Sequence, residues 1–136
     1  MATNLDIITD AYRMVNVIPM TATPDSELGS TALRRLNDML ATWEQDGIDL
    51  GWFPQTDQAA EAPLDDRAIE GVKANLAMIL VGVAGLDPPP WVVRQATKTY
   101  DTLLRVAVVD QLTSADMSHL PQGSGIGSDF DIDTGW

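Results

Sequence analysis

The apolar positions of this chain fall into four runs with helical spacing, separated by proline, glycine and one irregular stretch. Leu5, Ile8, Tyr12 and Val15 recur every three or four residues, which predicts one apolar stripe on a helix over 4–18. Thr3 is placed to cap it and Pro19 to stop it. A second helix is predicted from Thr23-Pro24, with Leu33, Leu36, Leu40 and Trp43 as its buried stripe and Gly47 as its end. Asp25 and Glu27 then lie near the positive end of its dipole. Residues 48–64, IDLGWFPQTDQAAEAPL, break the pattern with Gly51, Pro54 and Pro63. They read as an extended excursion or short hairpin.

Periodicity returns over 65–84 with Ile69, Val72, Leu76, Ile79, Leu80 and Val83, and the run LAMILVGVAG marks this as the central helix. After the stiff turn Asp87-Pro88-Pro89-Pro90, a fourth helix runs to about Leu112 through Val92, Ala96, Tyr100, Leu103 and Ala107. The fold class expected is therefore all-α: a four-helix bundle over 1–113 with one extended excursion. Residues 114–136 form a separate C-terminal tail, rich in Gly and Asp and without Lys or Arg.

Composition narrows the function. Twenty acidic residues against eight basic ones give a formal charge of −12 in 136 residues, which disfavours gripping a nucleic acid or an anionic lipid surface. The absence of cysteine excludes disulfides, thiolate metal sites and a cysteine nucleophile. The amino terminus lacks the basic and apolar regions of a secretion signal, and Leu76 to Leu86 is too short to span a bilayer.

Catalytic patterns are thin. His119 is the single histidine and lies in the tail, where a general base would be poorly oriented. Asp65 with Asp66, and Asp25 with Glu27, are better placed to answer helix dipoles than to form a glycosidase-like pair. The run Gly123-Ser124-Gly125-Ile126-Gly127 lacks the Lys, strand and helix of a phosphate-binding loop. Asp129, Asp131 and Asp133 have the first spacings of a calcium loop, but Thr134 stands where glycine is needed. No catalytic residue, metal or cofactor is expected.

The tail has another use. As an extended strand it would place its aspartates on one side and Phe130, Ile132 and Trp136 on the other, a pattern suited to docking on a partner. Trp52 and Phe53 are a plug at one end of the bundle or a contact with another subunit or a tail protein. Trp91 reads as a packing residue at a helix start, and Trp43 as core.

The order AYRMVNVI, ALRRLNDMLATWEQDGIDLGW, AIEGVKANLAMILV, WVVRQATKTYDTLLR and LPQGSG resembles the head-to-tail adaptor proteins of tailed phages, in particular the packaged-DNA-stabilisation, head-completion type of short-tailed phages. The resemblance implies a non-enzymatic virion protein, made in the host cytoplasm, that forms a homo-oligomeric ring, typically of twelve, between the portal protein and the next tail component, a hub or nozzle. It implies that the ring closes the head after packaging, carries the tail, and lets DNA pass its lumen without specific binding. It also implies portal attachment through the C-terminal extension, here Leu120, Pro121, Gly123, Gly125, Phe130, Ile132 and Trp136. The alternatives are a virion-borne, carboxylate-dependent cell-wall hydrolase and a monomeric helical binding module.

Overall fold

The structure, a computed structural model, describes residues 2–114. Four helices follow in order: α1 (Asn4–Met14), α2 (Ser26–Gln45), α3 (Asp66–Val83) and α4 (Pro90–Ser114). The all-α class is as expected, and α3 is central, packing on each of the other three. A single core joins Ile7, Ile8 and Ala11 of α1, Leu36 and Leu40 of α2, Val72, Leu76 and Leu80 of α3, and Val92 of α4.

The starts of the helices are set by short polar side chains that accept the orphan N–H groups of the first turn. Thr3 caps α1 as expected, and Asp6 closes a reciprocal capping box by accepting from the Thr3 backbone. At α2 the cap is Asp25, whose carboxylate accepts from Leu28 N–H at 2.8 Å, so Pro24 precedes the helix instead of opening it. Asp65 caps α3.

The end of α1 departs from the sequence reading. The helix stops at Met14, four residues before the predicted end, because Asn16 takes a left-handed conformation with φ 58°. Asn16 N–H then donates to Arg13 and Val17 N–H to Tyr12, the paired bonds of a Schellman stop. Asparagine tolerates this conformation better than any residue but glycine. Pro19 therefore follows a chain that has already turned, and Ile18 is buried in the core as part of the connection. Gly47 and Gly85 close α2 and α3 by the same pair of bonds.

The excursion forms no hairpin. Among the described residues its one β-bridge joins Glu61 to Thr3, and the chain instead lies across the start of α1. Asn4 N–H donates to the Ala60 carbonyl and Leu5 N–H to that of Gln58, so the excursion satisfies first-turn donors that α1 leaves open. The α3 and α4 helices approach closely at Gly71, where a methyl group would come within 3.0 Å of Thr99 Cβ.

Candidate functional site

Three places on the described surface combine polar chemistry with exposed apolar groups. The first is the excursion, held by one side chain of α2. The Asn37 Oδ1 accepts from the Gln55 backbone N–H at 2.9 Å and from the Trp52 indole N–H at 3.1 Å, while its Nδ2 donates to the Gln55 carbonyl at 2.9 Å. One amide thus supplies to Gln55 the donor and acceptor that a neighbouring strand would supply. The Gln55 side chain is buried, accepting from Asn4 Nδ2 at 3.0 Å and donating to the Phe53 carbonyl. Trp52 is drawn inward and packs against the core. Phe53 remains 60% exposed, so the two aromatics read together in the sequence are separated by the fold.

The second place is a groove of about 430 Å³ between α1, α3 and the start of α4, walled by Met14, Met20 and Trp91 and floored by Asp10, Arg13, Glu70 and Lys73. Lys73 Nζ lies 2.7 Å from Asp10 and 3.5 Å from Glu70. Burial disfavours its charge, but the hydrogen bond to Asp10 and the charges of Asp10 and Glu70 more than offset this, and the ammonium is held above the usual lysine range. A lysine kept protonated is no nucleophile. The group instead ties α1 to α3. Trp91 is half exposed on the rim of this groove, which corrects the reading of it as a packed residue. Its place in the first turn of α4 turns its ring from the side that carries the buried Val92.

The third place is the outward face of α4. Val92 and Ala96 are buried, and Tyr100, Leu103 and Ala107 pack against the core. On the opposite side Arg94, Lys98 and Arg105 line one strip with Asp101. None of the three cations has an ion-pair partner among the described residues. The strip continues into Val108, Val109 and Leu112, which are 46%, 58% and 63% exposed. Helix length explains this exposure. Gly71 packs on Thr99 and Leu103, and α3 begins only five residues before Gly71, at Asp66, so the 25-residue α4 runs on past the end of its 18-residue neighbour. This strip was missed in the sequence, although Arg94 and Lys98 stand one turn apart and are followed by Arg105 on the same face.

The tail residues Leu120, Pro121, Gly123, Gly125, Phe130, Ile132 and Trp136, His119 and the Asp129, Asp131, Asp133 series lie outside the described residues. Trp43 is buried, as expected, with its ring edge-on to Tyr100 at 5.4 Å between centroids. Among the described residues no cluster of three or more His, Asp or Glu side chains could hold a metal ion, and no helix is long and apolar enough to cross a membrane. Asp25 and Asp65 act as caps, and Glu27 and Asp66 lie in first turns, so both carboxylate pairs have structural roles.

No curated protein sequence matches the chain. The model of a phage tail protein family, the P22 tail accessory factor, matches residues 1–134, nearly the whole length. On that match, this chain belongs to the P22 tail accessory factor family.

Proposed function

We propose that this tail-associated virion protein forms a ring adaptor between the portal protein and the tail, closes the head after DNA packaging, and presents a platform to the next tail component. Family membership supports a structural part in the phage tail in place of catalysis. The observation that carries the finer reading is the overhang of α4. Its last turns lead the chain away from the bundle with apolar groups in solvent, and the sequence that follows is acidic, glycine-rich and studded with Phe130, Ile132 and Trp136. Exposed apolar surface of this kind marks a contact with another protein. The docking segment on the portal is Leu120, Pro121, Gly123, Gly125, Phe130, Ile132 and Trp136, with the two aromatics and Ile132 as its buried anchors.

Deleting residues 114–136 tests this. The expected result is loss of binding to purified portal, read by native mass spectrometry, with the helical circular dichroism of the bundle retained. Undiminished binding by the truncated chain would overturn the tail's role, and electron microscopy of intact particles, reading copy number and position, would overturn the ring if it found a single copy or a location away from the portal.

A further inference from the structure

We infer that the outward face of α4 is the surface on which a second copy of this chain docks, and that the copy meets it with the Phe53 corner of its excursion. The inference rests on the ring reading above and assigns the subunit contact within it.

The α4 surface has two parts, one cationic and one apolar. Helix α4 carries Arg94, Lys98 and Arg105 against Asp101 and Asp110, a balance of 3 − 2 = +1 in a protein whose formal charge is −12. Beyond Arg105 the same face becomes a shallow apolar groove between Leu104, Val108 and Val109, with Arg105 at its edge. The helical rise places Arg94 and Lys98 about 6 Å apart and Arg105 about 10 Å further on, so the strip reads as cations leading into an apolar slot.

The complementary surface is on the same molecule but elsewhere. From residue 36 to 66 there are acidic residues at 38, 44, 46, 49, 57, 61, 65 and 66 and no Lys or Arg. Phe53 stands in this stretch with most of its ring in solvent, and Asp49 and Asp57 on either side of it in sequence are exposed. Asp49 and Asp57 each brace a turn, by accepting from Gly51 N–H and Ala59 N–H, which fixes the corner on either side of the ring. Asn37 holds the corner from beneath.

Among the described residues, the contact of α4 with the acidic stretch is on the core side of the helix. The ties between α4 and the acidic stretch run through Tyr100, whose hydroxyl donates to Asp46 at 2.7 Å and whose ring packs on Trp43, and Tyr100 lies on the side of α4 that faces the core. An acidic corner bearing a phenyl ring and a cationic strip bearing an apolar slot are two different patches, so copies joined through them associate head to tail. Such contacts are heterologous and close into a ring when the rotation between copies permits. Charge complementarity sets the register, and the phenyl ring in its slot is the anchor.

Disulfide trapping tests the contact in the full-length chain, which has no cysteine of its own. A chain bearing Pro54→Cys with Leu112→Cys should give, on oxidation of the assembled protein, a ladder of covalent multimers ending at the full ring. The pair Glu27→Cys with Leu112→Cys should not. Assembly is read first by native mass spectrometry and, for a protein monomeric in solution, in purified virions. Arg94→Glu with Lys98→Glu should weaken assembly at least tenfold, and adding Asp49→Lys with Asp57→Lys to that chain should restore it. Multimers that form without the Pro54–Leu112 link, that trap the control pair equally, or that ignore the charge exchange would overturn the contact and leave the ring standing. A protein monomeric both in solution and in the virion would overturn the ring and this contact together.

Discussion

Asn37 joins two segments that are far apart in the sequence through three hydrogen bonds from one amide. Only one orientation of that amide serves, since its oxygen faces two N–H donors and its nitrogen faces a carbonyl. Replacing it by leucine would strip partners from the Gln55 N–H and carbonyl and from the Trp52 indole, and leaving buried polar groups unpaired is more costly than the bonds themselves are worth. Asn37→Leu should therefore lower stability by about 2–4 kcal/mol, measured by urea unfolding, with Trp52 fluorescence shifting toward that of a solvated indole. A loss under about 0.5 kcal/mol, the range of ordinary surface changes, would show that the excursion does not hang on this residue. Little in the sequence announces this role. An asparagine beside Leu36 on an amphipathic helix reads as solvent-facing, and its partners come 15 and 18 residues later in a stretch without periodicity. Trp43 was legible because it continues the stripe of Leu33, Leu36 and Leu40, whereas Trp52 and Phe53 differ only through the bond of the Trp52 indole to Asn37, which no sequence pattern marks.

At the scale of the element, caps make the helices sensitive to acid. The Asp6 carboxylate accepts from the Thr3 backbone N–H and is further favoured by the Thr3 hydroxyl; these interactions, the backbone one first, hold its carboxyl below the usual value of 3.8. A carboxyl whose folded value is depressed stabilises the fold above its unfolded value and loses that contribution as pH falls through the folded one. Wild-type protein should thus be more stable than Asp6→Asn at neutral pH. Denaturant unfolding of both between pH 7 and 2 should show the difference closing below about pH 3.8, and a constant difference across that range would remove the capping box as its cause. Burial raises the Tyr12 hydroxyl above its usual value, and with its bond to the Leu28 carbonyl at 2.9 Å it keeps that contribution only until the pH rises through the tyrosine range. The number, order and type of helices were legible from periodicity and from Thr3, Gly47 and the proline turn. The end of α1 was not, because proline is the louder breaker in a sequence and Asn16 acts only through a conformation that most residues avoid.

On the scale of the whole molecule, the charge is unevenly spread. Acids occupy the excursion and the tail, and three of the eight basic residues share one face of α4. If α4 is covered by a neighbouring copy, as inferred above, its cations are paired with that copy's acids, and the net charge of −12 per chain stays on the surface left to solvent and to DNA. A conduit of that sign repels the phosphate backbone and lets it slide. The proposed ring, once isolated, should accordingly retain no linear DNA in a gel-shift measurement at physiological salt, and firm retention would contradict its proposed use as a conduit. The proposed docking by the C-terminal segment rests on composition alone, since residues 115–136 fall outside those described and no packing argument reaches them.

The overhang of α4 bears on where the chain leaves the domain. A turn of helix with no neighbour is held by its own backbone bonds alone, and short unsupported helix is marginal in water. The working length of α4 is then set by what lies against Val108, Val109 and Leu112. Each residue by which a helix lengthens moves its end outward by about 1.5 Å, so the proposed subunit contact and the reach of the proposed docking segment become one adjustable dimension.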